Sequence, residues 1–283
     1  MSVEILRLTA FSNDPDGGNP AGVVLDAAGL TASEMLAIAA EVGYSETAFL
    51  IARPKDGPES FDIRYFSPLA EVDFCGHATV AAGIALGQEN GPSTYEFNSN
   101  AGPIEVEVFE NGDDLVVTLI SPPASVRPLA EDVLETLLEA LDWEIEDLDP
   151  RFTPAIGFAG NAHPVLVADS RDRLAELDYD FDDLLELMEA EGWTTIQLVY
   201  PDEGDPSTRK WHSRNPFPVG GVYEDAATGA AAAAFGGYLR QFGIAGVGDQ
   251  IQILQGDDMG RPSLILLTIG GSQMQVSGTG IQI

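Results

Sequence analysis

The feature that most constrains this chain is a helix built almost wholly of small apolar residues, and it occurs twice. Ala78 to Leu86 follows the turn Cys75-Gly76-His77, and Ala230 to Leu239 follows Ala226-Ala227-Thr228-Gly229. Neither stretch has a polar face to turn toward water, so each has to be enclosed on all sides. Alanine and glycine leave little side-chain volume between a helix and its surroundings, which suits the centre of a sheet-wrapped domain. The first turn of each helix also presents unpaired backbone N–H groups, which attract anions.

Strand-like segments lie where such a wrapping needs them. Phe61, Ile63 and Tyr65 alternate with Asp62 and Arg64, Ala48 to Ile51 is an apolar run, and Tyr95 to Asn98, Ile104 to Phe109 and Leu115 to Ile120 read as an antiparallel meander. Val3 to Phe11 predicts a first strand, and Thr194 to Tyr200 another in the second half. Thr31 with Glu34 forms a capping box for a helix ending at Gly43, and Glu131 to Leu141 and Asp182 to Glu191 are amphipathic. The two halves match: the segment beginning Gly18-Asn19-Pro20 has a counterpart at Gly160-Asn161-Ala162-His163-Pro164, and Cys75 falls on Ala226, 151 residues on. An internal duplication of that period predicts two similar domains facing each other across a cleft. Ser121-Pro122-Pro123 marks the boundary, giving domains 1–121 and 122–283, with the last strand, about 273–283, packing back onto the first domain.

Forty-six acidic residues against 13 basic ones leave a net charge of −33, and only Lys55 and Lys210 are lysines. So negative a surface excludes nucleic acid and anionic membrane as partners. Self-repulsion at this level is relieved by salt, so the expectation is a protein of a high-salt cytoplasm whose melting temperature rises from low to molar KCl. The first twenty residues lack the basic and apolar regions of a signal peptide, and a cytoplasmic location is expected. One cysteine forbids an internal disulfide and is too few for a cysteine-built metal site, and His77, His163 and His212 have no ligand spacing, so no metal is expected.

The polar groups that stand out are Glu46 in Tyr44-Ser45-Glu46-Thr47, His77 beside Gly76, and Asp225 in Glu224-Asp225-Ala226-Ala227-Thr228-Gly229. A carboxylate on a turn, an imidazole and helix N-termini are the ingredients of proton transfer on an anionic substrate. Their bland readings are an exposed turn residue for Glu46, a core or capping histidine for His77, and an N-cap for Asp225.

The segments GNPAGVVL, YSETAFL, FSPLAEVDFCGHAT, GVYEDAATGAAAAAFGGYL and QGDDMGRPS, in this order and over nearly the whole chain, resemble the PhzF-like (phenazine biosynthesis) family of the diaminopimelate epimerase superfamily. The resemblance implies an α+β, diaminopimelate epimerase-like fold of two pseudo-symmetric domains, each a curved, barrel-like sheet around a central helix, in a homodimer. It implies an isomerase working without cofactor or metal on a small carboxylate-bearing molecule, with Glu46 as base and acid. His77 and Asp225 would orient the substrate, and Cys75, Gly76, Ala78, Thr228, Gly229 and Ala230 would line it.

Two departures stand out. Ala230 replaces the family's serine, removing a hydrogen-bond donor, so the phenazine precursor itself is not the expected substrate. The approach Arg214-Asn215-Pro216-Phe217-Pro218 is differently spaced, which leaves open whether Arg214 reaches the site. The related two-thiol racemases need a second cysteine that this chain lacks. The alternatives are an inactive small-molecule-binding relative and an epimerase using Cys75 with a carboxylate.

Overall fold

The computed structural model describes residues 3–283, which divide into two compact units, residues 3–120 with 277–283, and Ser121–Val276. In chain order the elements are β1 (Leu6–Ala10), β2 (Asn19–Val24), α1 (Ala32–Val42), β3 (Glu46–Ala52), β4 (Ser60–Phe66), β5 (Glu71–Val72), α2 (Gly76–Asn90), β6 (Ser93–Ser99), β7 (Gly102–Asn111) and β8 (Asp114–Ile120). There follow β9 (Ser125–Pro128), α3 (Glu131–Ala140), β10 (Ala155–Phe158), β11 (Ala162–Val167), α4 (Arg171–Ala175), α5 (Phe181–Glu191), β12 (Gln197–Pro201), β13 (Lys210–Pro216), β14 (Glu224–Asp225), α6 (Gly229–Gln241), β15 (Gln250–Gln255), β16 (Ser263–Thr268) and β17 (Gln275–Gln282).

In the first unit β1 pairs antiparallel with β2, β2 parallel with β3, β3 antiparallel with β4, and β4 parallel with β6. An antiparallel meander of β6, β7 and β8 follows, and β17 pairs with both β8 and β1, so the strands close on themselves. The enclosed element is α2, in which every residue from His77 to Gly87 is buried. Its composition follows from the fit. A Cβ added at Gly83 would stand 2.9 Å from the side chain of Val117, and one at Gly87 2.7 Å from Val108, so larger residues on that face would force the wall outward.

The second unit has the same succession. β9, β10 and β11 are antiparallel neighbours, β11 runs parallel to β12, β12 antiparallel to β13, β13 parallel to β15, and β15 antiparallel to β16. The central helix is α6, whose Ala234 carbonyl would be 2.9 Å from a Cβ at Gly157 on β10. Outside the sheet, α3 and α5 bury Leu137, Leu138, Leu184 and Met188 in a cluster with Trp143 and Trp193.

Element ends differ from the sequence reading in physically clear ways. The first strand spans Leu6–Ala10 rather than Val3 to Phe11, and at its far end Phe11 adopts φ 65° and turns the chain. The central helices run on to Asn90 and Gln241, since glutamine, glutamate and arginine continue a helix once it leaves the sheet. The strand read as Thr194 to Tyr200 begins at Gln197. The capping box of Thr31 with Glu34 and the left-handed Gly43 stop are as expected. Among the described residues, no helix is long and apolar enough to cross a membrane.

Candidate active site

Three sequence candidates meet in the first unit. Glu46 opens β3 in parallel register with Ala21 of β2, and Cys75 and His77 flank the start of α2. The Glu46 Oε2 lies 3.3 Å from His77 Nε2, with side chains 14% and 6% exposed. The Cys75 thiol donates to the same Oε2 at 3.5 Å and sits 3.4 Å from His77 Nδ1. Ser45 Oγ completes the group, 3.3 Å from His77 Nε2. Beneath it, Thr79 donates to the Cys75 carbonyl at 2.6 Å, so the buried Tyr65 hydroxyl, 2.6 Å from Thr79 Oγ1, must be the donor to Thr79. Burial pushes the Tyr65 phenol up, which keeps it a neutral donor.

Asp225 belongs to the second unit, where its surroundings are different. Thr228 donates to Asp225 Oδ2 at 2.6 Å, and Gln255 Nε2 donates to the Asp225 carbonyl at 2.8 Å and to Thr228 Oγ1 at 3.0 Å. The Gln255 Oε1 in turn accepts from the Thr228 backbone N–H at 3.1 Å. A fully buried glutamine thus pins the whole turn. Next to it, Gly256 at φ 81° passes so close to the Arg261 and Ala226 carbonyls that a Cβ would stand 2.3 and 2.8 Å away. Asp225 is not the N-cap of α6; that position is Thr228.

The helix starts have one property in common. α1, α4 and α5 are capped by the side chains of Thr31, Ser170 and Asp180, whereas α2, α6 and the outer helix α3 have no side-chain cap. Cys75 and Thr228 stand in the capping positions but turn their polar atoms to a carboxylate, Glu46 and Asp225 respectively. The first-turn N–H groups of both central helices are therefore left without a side-chain cap, which suits an anionic ligand. Gly76 and Gly229 open those helices, Ala78 is buried in the first turn, and Ala230 is partly exposed with no donor to offer.

Arg214 is occupied. It forks onto Glu224 through Nε and Nη2 and donates to the Ala175 carbonyl, with the ion pair 8% and 4% exposed. Arg64 and Glu71 make the same two-pronged contact in the first unit. The forks are equivalent: Glu71 pairs with Phe66, two residues after Arg64, and Glu224 pairs with Pro216, two after Arg214. Four residues after each glutamate comes the N-cap, Cys75 or Thr228. This register corrects the sequence alignment. The counterpart of Cys75 is Thr228, not Ala226, because the loop between β13 and β14 is three residues longer than that between β4 and β5.

The sequence reading did not single out Ser45, Gln255 or the two forks. Ser45 adjoins Glu46, and Gln255 heads the quoted QGDDMGRPS segment, so a signal existed for both; the forks join residues with nothing in common along the chain.

A family model for phenazine biosynthesis-like proteins (PhzC-PhzF) matches residues 8–283. The chain belongs to this family. It is 32% identical to a trans-2,3-dihydro-3-hydroxyanthranilate isomerase of Pseudomonas chlororaphis, over 97% of this chain and 95% of the relative. It is 31% identical to the uncharacterized isomerase YfhB of Bacillus subtilis, over 99% and 96% of the two chains. A PhzF-family phenazine biosynthesis protein of Bacillus anthracis superposes with a TM-score of 0.86 at 24% identity, covering 100% of this chain and 98% of that one. A probable proline racemase of Agrobacterium radiobacter, at a TM-score of 0.68 and 13% identity, shares the fold over 100% of this chain and 91% of its own. The architecture is the diaminopimelate epimerase-like one, and this PhzF-like chain is an isomerase.

Proposed function

We propose that the chain is a cofactor-independent isomerase that moves a proton within a small carboxylate-bearing metabolite, with Glu46 taking the proton and returning it elsewhere on the same molecule. The observation that carries this is the meeting of the Glu46 carboxylate with His77 and Cys75 beside the start of α2, which has no side-chain cap. A carboxylate at the end of a strand, held by an imidazole and a thiol, is placed to exchange a proton. The N–H groups of α2 supply a seat for the substrate's own carboxylate. Asp225 keeps the substrate-orienting role that the family resemblance gives it, and a homodimer belongs to the same reading.

The geometry speaks against an epimerase with Cys75 and Glu46 as opposed bases. Two such bases flank one carbon, each about 3–3.5 Å from it, and so stand roughly 6–7 Å apart. Here Sγ and Oε2 are in contact at 3.5 Å. Ala230 narrows the substrate class: a ligand group that needs a donor there would be left unpaired, at a cost of about 1–3 kcal/mol.

Solvent deuterium wash-in tests the proposal, using dihydro-hydroxyanthranilate and cyclic amino-carboxylates as candidate substrates. Glu46→Gln is expected to slow wash-in by about 10²–10⁴-fold. Undiminished wash-in in that variant would remove Glu46 as the proton carrier.

A further inference from the structure

Two buried tyrosines reach the central helix of the first unit, one at each end. Tyr95 Oη donates to the carbonyl of Gly91, the C-cap of α2, at 3.0 Å. Tyr65 Oη donates to Thr79 Oγ1 near the helix start at 2.6 Å, and Thr79 Oγ1 donates to the Cys75 carbonyl at 2.6 Å. A threonine hydroxyl returning to the carbonyl four residues back is an ordinary local bond in a helix. Its second partner is not local. Tyr65 lies on β4 directly opposite Ala48 of β3, two residues after Glu46. One residue therefore spans from the strand that carries Glu46 to the helix start that carries Cys75 and His77. Its ring is fully buried, and Phe74, the residue before Cys75, packs edge-on against it with centroids 6.1 Å apart.

The second unit provides a comparison within the same chain. One residue after the arginine of each fork, Tyr65 corresponds to Asn215, and four residues after each N-cap, Thr79 corresponds to Ala232. The backbone bond is the same in both copies: the Thr79 N–H donates to the Cys75 carbonyl, and the Ala232 N–H to the Thr228 carbonyl, each at 3.0 Å. The hydroxyl pair has no counterpart. Ala232 has no side-chain donor, and Asn215 donates to Thr195 and Gln197 instead. The relay belongs to the copy in which a carboxylate meets an imidazole.

We propose that Tyr65 and Thr79 are positioning residues, whose hydroxyl relay holds the start of α2 against β3 and so sets the 3.3 Å contact between Glu46 and His77. The consequence for the reaction rests on the proton-transfer reading given above. Loosening the relay leaves the first-turn N–H groups on the helix, so the substrate's carboxylate keeps its seat. What changes is the distance from that seat to the Glu46 carboxylate. The rate of the proton-transfer step should therefore fall while substrate binding holds.

Tyr65→Phe removes the hydroxyl and keeps the ring. In deuterium wash-in with dihydro-hydroxyanthranilate or a cyclic amino-carboxylate, it should lower kcat by about 10–10²-fold with little change in KM. Thr79→Val should do the same, and Thr79→Ser should restore the parent rate. The double variant should be no slower than the slower single one, because both break one relay. Tyr95→Phe is the matched control: it removes a buried phenol bond at the other end of the same helix. It should lower the melting temperature comparably and leave kcat unchanged.

The contact can also be read without substrate, from the ring-nitrogen chemical shifts of His77 in isotope-labelled protein, assigned with His77→Gln. These should move in Tyr65→Phe and stay in place in Tyr95→Phe. His77 shifts unchanged in Tyr65→Phe, or a kcat loss no larger than in Tyr95→Phe, would overturn the proposal. Tyr65→Phe decides even where Thr79→Val does not fold, since Thr79 then keeps its own acceptor. Shifts that move in Tyr65→Phe, with no wash-in by the parent on any candidate substrate, would sink the isomerase reading and leave the positioning role standing. Wash-in that depends on Glu46, with His77 shifts untouched by Tyr65→Phe, would do the reverse.

Discussion

The two units carry the same scaffold and put different chemistry on it. Aligning the Arg64–Glu71 fork with the Arg214–Glu224 fork sets Phe49, which pairs with Arg64, against Leu198, which pairs with Arg214. Three residues earlier, Glu46 in one unit then corresponds to Thr195 in the other. Two residues after each N-cap, His77 corresponds to Ala230. Where the first unit has a carboxylate facing an imidazole and a thiol, the second has a buried network of hydroxyl, amide and imidazole groups. Asn215 donates to Thr195 at 2.9 Å and to Gln197 at 2.8 Å, and His163 Nδ1 lies 2.9 Å from Thr195 Oγ1. A duplicated frame thus has one copy that joins a carboxylate, an imidazole and a thiol at the strand-helix junction, while in the other the carboxylate of Asp225 is held by the Thr228 hydroxyl and Gln255 braces the turn.

The largest stability difference should come from the forks themselves. The second is buried, with side chains 8% and 4% exposed, and the first is 28% exposed on both partners. Removing one member of a buried pair strands a charge, so Glu224→Gln should lower the unfolding free energy by about 3–5 kcal/mol, whereas Glu71→Gln should cost about 1 kcal/mol or less. Replacing both Arg214 and Glu224 by apolar residues of similar volume should recover most of the loss. Urea unfolding of the four proteins measures this. Equal losses in the two single variants would break the difference between the forks that the burial predicts.

A smaller effect should appear as a pH dependence that originates in the second unit, at His163. Burial pushes the His163 imidazole down to about 4 from its ordinary 6.5. Between those values the unfolded chain binds a proton that the folded chain refuses. Stability is therefore full above about pH 6.5, falls by about 1.4 kcal/mol per unit as pH drops, and levels off near pH 4. The whole window is worth on the order of 3 kcal/mol. Carboxylates titrate at its lower end, so the measurement is the difference in unfolding free energy between pH 7 and pH 5.5, compared in the parent and in His163→Gln. A parent slope no steeper than the variant's would show that His163 is not held neutral.

Much of this architecture was legible in the chain, and the reason is packing. Ala78 to Leu86 and Ala230 to Leu239 carry no polar face and so have to be enclosed, as they are in all but the partly exposed Ala230, and the Thr31 and Gly43 helix boundaries are written in local backbone chemistry. Glu46, His77 and Asp225 could be picked out by type and family motif. The work of Gln255 could not be read, since it joins a strand end to a turn 27 residues away, and its amide looks like any other polar residue on a strand. The sequence leaves open whether Arg214 reaches the site for a related reason: an arginine's partner is not written in its neighbours, and only the folded chain shows the guanidinium paired with Glu224. The thiol's counterpart was misplaced because sequence spacing cannot reveal in which loop three residues were added.

The smallest effect tests the correspondence of Glu46 with Thr195 most directly. Thr195→Val keeps the shape and removes the hydroxyl that links Asn215 to His163, so two buried polar groups lose a partner. The cost should be about 1–3 kcal/mol in unfolding free energy. If Thr195 is only a brace, deuterium wash-in at a temperature well below melting should be unchanged, in contrast to Glu46→Gln, where chemistry falls and stability holds. A Thr195→Val variant that kept its stability but lost wash-in would mean that the second unit's junction takes part in the reaction, and that the division between a reactive copy and a structural copy is drawn in the wrong place.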